Sequence, residues 1–429
     1  MTVTAPVIPE QHAERPAHRD GNVLRWLAAY TSSMVGDSVY YIALSWAAVQ
    51  SGTPAQAGVV MSVSALPRAV LMLGGGVIAD RLGPHRVAIG SDAVRCVAVL
   101  AVAGLLFLTS PGLWPLALLA FVFGTVDAVF MPAVGALPAR VTGRGQLARV
   151  QGMRSLAIRF ASVVGAPLGG LGVAVGGAAA AFALAGLLIA VSVPLLVSVR
   201  VRDLPADDAP ADGRTTAMGV PPRERSRAWG SDLVAGLRYI RGHRVLAPLM
   251  VAIALGDLGF VGPLNVGLTL LADERDWGAA GMGWVLAGFG TGAGAAALLL
   301  TVRGRLPHAG RTAAYAILAG SVAIGALAYA PGVAVAVGTA LLIGLLAGLS
   351  GTLCGALLQT QADPAYLGRV TAVAGLVSLG FAPLSMPLSA AAIGVWGTGP
   401  VFVVSAAVCG LGGVVVLCAR DLRRAGLPG

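Results

Sequence analysis

Gly74-Gly75-Gly76-Val77-Ile78-Ala79-Asp80-Arg81-Leu82-Gly83-Pro84-His85-Arg86 joins the end of one long apolar run to the start of the next. Its glycines allow two helices to approach closely, Gly83-Pro84 forces a tight reversal, and Asp80, Arg81 and Arg86 hold that reversal at a membrane surface. A hairpin in water would not need such apolar runs on both sides.

The whole chain shares that character. It is 57% hydrophobic and 11% charged, where soluble domains average about 25% charged. A helical span takes roughly 20 apolar residues. The charge-free stretches 160–199, 312–362 and 370–419 each hold two, and each is broken near its middle by a turn signal: Gly176-Gly177, Ala330-Pro331-Gly332 and Trp396-Gly397-Thr398-Gly399-Pro400. Apolar runs and turns together predict spans at 24–50, 56–79, 86–108, 113–138, 147–175 and 179–199, then 245–272, 280–302, 311–329, 333–361, 367–394 and 400–419.

The net charge of +10 is explained by placement. The chain has no lysine; of its 29 arginines, 25 fall in one alternate set of loops and tails, and the other set holds only Arg275, inside Asp273-Glu274-Arg275-Asp276. The positive-inside rule therefore predicts that both termini and the central loop are cytoplasmic, and it makes nucleic-acid binding the poorer account. Cys96, Cys354, Cys409 and Cys418 all fall in predicted spans without paired spacing, and read as small packing residues rather than disulfides or metal ligands.

These boundaries divide the chain into a disordered tail (1–22), a six-helix bundle (23–200), a linker rich in Arg, Asp, Pro and Ala (201–230), a second six-helix bundle (231–420) and a short tail (421–429). The second bundle opens with an amphipathic stretch, where Leu233, Leu237 and Ile240 stand beside Arg238, Arg241 and Arg244. The two bundles are weak copies at an offset near 220. Gly36-Asp37 recurs as Gly256-Asp257, Arg81 to His85 as Arg305 to His308, Leu147 to Val150 as Leu367 to Val370, and Ala166-Pro167-Leu168 as Ala382-Pro383-Leu384. Gly304 stands in the place of Asp80, so the second copy keeps the turn and loses the carboxylate.

The opening stretch resembles the signature loop between the second and third helices of the major facilitator superfamily: Gly, a few residues, Asp-Arg, one residue, Gly, then basic residues. That resemblance implies an all-α membrane protein of twelve transmembrane helices in two pseudo-symmetric six-helix bundles, with substrate bound near the midplane between them. It also implies a conformational latch built from Gly76, Asp80, Arg81, Gly83 and Arg86, with the Asp contacting the eleventh helix and the Arg a neighbouring one. Gly36 to Leu44, Asp92-Ala93-Val94-Arg95, Asp127 to Ala133, Leu358 to Gln361 and Leu367 to Val370 look like the drug:proton antiporter branch that includes macrolide-efflux and enterobactin-exporter proteins. Gly165, Pro167, Gly169 and Gly170 are similar to that branch's fifth-helix motif, with the proline displaced by one position. Where other branches carry an Arg in helix 4 before a Gly, this chain has Ala120 and Phe121 before Gly124.

An ionisable side chain at the bilayer centre costs at least ~2.5 kcal/mol on insertion scales, so each one asks for a reason. The predicted spans hold Asp37, Asp92, Asp127 and Asp257 with Arg68, Arg95 and Arg159, and no His or Glu, so a protonatable carrier in the pathway must be an Asp. Asp37, Asp127 and Asp257 are candidate proton or cation sites, against the plainer reading of Asp groups bonded to neighbouring helices for packing. Arg68, roughly 18 Å along its helix from Asp80, is expected to pair with Asp37 or Asp127. Arg159 is comparable, though its stem allows snorkelling. Asp92 and Arg95, one or two turns from the inner surface, are expected to clamp the signature loop. No Walker-type loop, catalytic triad or metal cluster can be assembled, so neither an enzyme nor a cofactor is expected, and energy should come from an ion gradient.

The expected function is a proton-coupled efflux transporter of the cytoplasmic membrane, exporting small amphipathic compounds as a monomer by alternating access. A dedicated exporter of a self-made metabolite or siderophore is the nearest alternative, and a non-transporting sensor or scaffold using the basic linker the more distant one.

Overall fold

A computed structural model describes residues 17–109, 112–201, 235–303, 308–363 and 366–426, with the side chains at 72–77, 80, 144, 148, 301, 303, 379 and 382 excepted. The expected 201–230 linker therefore lies almost wholly outside the described residues.

Among these residues the architecture is helical throughout. In the first half α1 is Gly21–Ser51, α2 Pro54–Leu82, α3 Pro84–Leu108 and α4 Trp114–Val141. Asp20 caps α1 by accepting the Asn22 N–H at 2.8 Å, after a turn at Ala17–Arg19 whose Ala17 is buried; helical structure thus begins inside the stretch expected to be tail. Thr53 and Gln56 cap α2 reciprocally ahead of Pro54. The signature loop is shorter than its sequence suggests. α2 runs to Leu82 and α3 begins at Pro84, so the turn is Gly83 alone, at φ +86°, a left-handed conformation that favours glycine. Asp80 and Arg81 belong to the last turn of α2, and Arg86 to the first turn of α3.

Leu147–Val197 forms one helical trace, but Gly176 (φ −141°) and Gly177 (φ +69°) break it. A Cβ added at Gly172 would lie 3.2 Å from Ala181 Cα, whereas nine residues of continuous helix would separate them by about 13 Å. The chain therefore reverses there, giving α5 (147–175) and α6 (178–197). In the second half α7 is Leu246–Glu274, widened to a π-helical turn at Pro263–Gly267. It is followed by α8 Gly278–Arg303, α9 Ala309–Leu327, α10 Val333–Gln361, α11 Leu367–Trp396, α12 Thr398–Cys418 and a short α13 Arg420–Arg424. Among the described residues nine apolar segments are long enough to cross a membrane. One of them is the α5–α6 hairpin, and with α1 and α2 the crossings number twelve.

The two halves pack alike. α1 against the α5–α6 hairpin, α2 against α4, and α3 against α4 and α6 are matched by α7 against α11 and α12, α8 against α10, and α9 against α10 and α12. They meet each other chiefly along two pairs, α2 with α11 and α5 with α8. Small residues make these contacts close: a Cβ at Gly283 of α8 would lie 2.5 Å from the Ala166 carbonyl of α5, and one at Gly58 of α2 would lie 2.6 Å from Ala390 Cβ of α11.

The close approaches at Gly58 and Gly283 lie toward the end that carries the 273–276 loop. There Gln50 donates to Asp273 at 2.7 Å, Ser45 of α1 hydrogen-bonds Thr269 of α7, and the buried clusters draw from both halves. Toward the arginine-rich end the buried clusters belong to one half each. In the second of these, residues 235–242 form a helix that buries Ile240 and stacks Tyr239 on Tyr366 with ring centroids 4.4 Å apart, while Leu237 stays exposed. Among the described residues the halves are packed together at one end and parted at the other.

Candidate functional site

Packing α1, α3 and α4 side by side brings together charges that are far apart in sequence. Arg95 of α3 reaches α1, where its Nη1 lies 2.9 Å from both carboxylate oxygens of Asp37. Its Nη2 donates to Asp92 one turn earlier and to Ser33 at 3.0 Å. Its Nη1 also lies 3.8 Å from Asp127 Oδ1 on α4, and Asp127 Oδ2 lies 3.2 Å from Arg68 Nη1 on α2. Asp92 receives Ser33 Oγ at 3.1 Å and the Ser192 hydroxyl of α6.

Aromatic rings close over this cluster. The Arg95 guanidinium sits 3.9 Å from the Phe130 centroid and 5.2 Å from that of Phe123, and Tyr40 stacks on Phe123. Arg95 and Asp92 are fully buried. Arg68 is the member that meets open space, its side chain 31% exposed. Isolated buried charge is prohibitive, so such a cluster stands only because each charge faces an opposite one or a hydroxyl.

The expectation that Asp92 and Arg95 clamp the signature loop is corrected here: their partners are Asp37, Ser33, Asp127 and Ser192. Arg95 stands about three turns into α3, at the level of Asp37 and Asp127, and the crossing of α1 and α6 over that face is invisible in the sequence of α3. Of the latch residues, Gly76 and Asp80 have side chains outside the described set. Arg81 and Arg86 are exposed beside a groove with Val94 and Val129, and neither has an ion-pair partner among the described residues.

The fifth-helix motif serves packing. Gly165 and Gly169 lie against Ser38 and Ile42 of α1, and Gly170, on the other face, against the Ala279 carbonyl of α8. Pro167 lies within α5, and an added Cβ at Gly283 would stand 3.2 Å from its Cα.

Two cavities flank the network. One, of about 290 Å³, lies between the halves and is lined by Ser38, Tyr41 and Arg159 from the first and by Asn265, Met282 and Phe289 from the second. Asn265 reaches it from the π turn, a distortion common at functional sites. The other, of about 500 Å³, lies within the second half and has Asp257 on its wall. Ser378 donates to Asp257 Oδ2 at 2.6 Å, and among the described residues no cation pairs with it. Phe260 of the larger cavity and Phe289 of the smaller are 5.7 Å apart and share the wall between them. The structure thus gathers Asp37, Asp92, Asp127, Arg68 and Arg95, and leaves Arg159 and Asp257 apart from them and from each other. Ser33, Ser192 and Ser378 went unnoticed in the sequence, where a serine among apolar residues carries no distinguishing signal.

The sequence profile of the Major Facilitator Superfamily matches residues 26–382. The chain belongs to this family. Among curated proteins in it, enterobactin exporter EntS of Shigella boydii serotype 18 and that of Escherichia coli O139:H28 are each 28% identical over 320 residues, covering 73% of this chain and 71% of theirs. Solved structures agree on the fold. A D-xylose–proton symporter aligns with a TM-score of 0.68 at 12% identity over 92% of this chain and 96% of its own. The nucleoside transporter NupG aligns with 0.67 at 13% over 94% and 99%, and a peptide transporter in complex with sulfate with 0.70 at 13% over 97% and 98%. This major facilitator protein is therefore a multi-pass membrane transporter of two six-helix bundles.

Proposed function

We propose that the chain is a proton-coupled exporter of small amphipathic compounds in the cytoplasmic membrane, with both termini on the cytoplasmic side. The arginine-rich loops support that orientation, and under it the parted end opens to the cytoplasm, the state that loads an exporter. The names of the EntS relatives support outward direction.

The observation that carries proton coupling is a charge count. Among the described residues Asp37, Asp92 and Asp127 pair with the cations Arg68 and Arg95 alone, which leaves one negative charge unmatched in a largely apolar setting. A single proton neutralises it. Asp92 is committed to two serines and Arg95, so the proton belongs to the Asp37–Asp127 pair, of which Asp127 is the member paired with the partly exposed Arg68. Protonation of Asp127 weakens its hold on Arg68 and, through α2, changes the contact with α11 by which the halves rock.

The test is ethidium extrusion in inverted vesicles under an imposed pH gradient. Asp127→Asn is expected to lose gradient-driven transport and Asp37→Asn most of it. Unchanged transport in both removes the assignment. The relatives' names also favour a second reading, a dedicated exporter of a self-made siderophore; for that reading a drug-sized cation such as ethidium is not carried at all.

A further inference from the structure

The halves share a backbone plan, yet the space that the first fills with charge and aromatic rings is empty in the second. At the offset of 220 that relates Asp37 to Asp257, Ile343 answers Phe123, Ala347 answers Asp127 and Ser350 answers Phe130. At the offset of 224 that relates Arg81 to Arg305, Arg95 falls at Ala319, and the α9 stretch around it, Ile317-Leu318-Ala319-Gly320, carries no charge. Ile317, Gly320, Ile343, Ala347 and Ser350 all line the 500 Å³ cavity. Where the first half has one guanidinium, two carboxylates and two phenyl rings beside Asp37, the second has a bay among α7, α9, α10, α11 and α12, with Asp257 on its wall.

We infer that this bay is a ligand site for an organic cation with an apolar body, whose positive group takes beside Asp257 the place that Arg95 takes beside Asp37. Its size suits a small drug-like molecule. The walls are apolar apart from Ser350, Gln359, Thr371 and Ser378, and Asp257 is the one charged side chain among the described residues that line them. Ser378 satisfies one of its oxygens, leaving acceptor capacity directed at the bay. Phe260, a turn further along α7, offers a ring to the same positive group. Gln359 and Thr371, both exposed, stand where the bay meets the parted, arginine-rich end, so a ligand enters from the side on which the exporter is loaded. An anion of the same shape is excluded, because it would meet an uncompensated carboxylate in apolar surroundings.

The inference rests on the export reading and is tested apart from it, by equilibrium dialysis of the full chain in detergent micelles against empty micelles. Tetraphenylphosphonium supplies a fixed cation and tetraphenylborate an anion of nearly the same shape. The phosphonium is expected to bind saturably and about tenfold or more tighter than the borate. Asp257→Asn should weaken phosphonium binding about tenfold, and Asp257→Glu should restore most of it. Ala347→Phe, which keeps the carboxylate and fills the bay, should abolish it. No saturable phosphonium binding to the parent, equal affinity in Asp257→Asn, or affinity retained in Ala347→Phe each overturns the site. Loss of gradient-driven extrusion with this binding pattern intact removes proton coupling alone. Gradient-driven extrusion with phosphonium binding indifferent to Asp257 removes the bay alone.

Discussion

Arg95 Nη1 lies 2.9 Å from each carboxylate oxygen of Asp37, the arginine side chain spanning from α3 to α1. Arg95 is fully buried and Asp37 nearly so, and the same guanidinium also holds Asp92. Replacing one partner of a buried pair strands the other, at about 3–5 kcal/mol. Arg95→Met is therefore expected to lower the thermal midpoint in detergent sharply, whereas Arg95→Lys keeps the charge without the fork and should fall between parent and Met. A midpoint for Arg95→Met equal to the parent's would show that the carboxylates are already neutral.

Asp127 bridges Arg95 and the partly exposed Arg68. If the unmatched proton resides on the Asp37–Asp127 pair, ethidium binding to the parent releases protons into weakly buffered solution, and Asp127→Asn binds ethidium without release. The check is the proton count per ligand in a pH-monitored titration. Equal release by both proteins moves the proton to another group.

Gly170 of α5 meets the Ala279 carbonyl of α8 so closely that no side chain fits. Gly170→Val should force the closed end apart and shift the population toward the opposite conformation. Spin labels at Ser51 and Asp276, both exposed beyond that contact, are expected to move apart by several Å in pulsed electron resonance. An unchanged distance distribution would mean that α8 yields by sliding along α5 instead.

Ser385 of α11 accepts the Gly262 N–H at 3.0 Å and donates to the Leu258 carbonyl at 3.0 Å, next to the π turn, where the regular i to i−4 ladder of α7 is interrupted. Gly262 N–H and Leu258 C=O stand in the i and i−4 relation of a regular helix, so Ser385→Ala removes the bridge and leaves them each other, a loss of about 1 kcal/mol. The variant should show a lower thermal midpoint and faster hydrogen exchange at 258–267, with α1 to α6 unaffected.

Much of this was legible in local chemistry. Gly83-Pro84 marks the one-residue turn, Gly176-Gly177 marks the α5–α6 reversal, and the charge-free runs mark the spans, because turn conformation and apolar length are properties of neighbouring residues. The intramembrane charges stood out for the same reason. Their grouping did not. Ser33, Asp37, Asp92, Arg95, Asp127 and Ser192 lie on four helices, and which faces meet depends on crossing angles and rotations set by packing along the whole length of each helix.

The order of residues by itself determined a membrane-spanning helical chain of two related halves, with a basic face, a signature turn and a few costly charges in its spans, since each of these follows from composition and spacing along one strand of polymer. Only the tertiary structure decided that Arg95 turns toward Asp37 rather than the signature loop, that one end is closed and the other parted, and that Asp257 borders empty space instead of a guanidinium. A cavity is what five helices together fail to fill, and that shortfall is a sum over side-chain volumes brought together from distant parts of the chain.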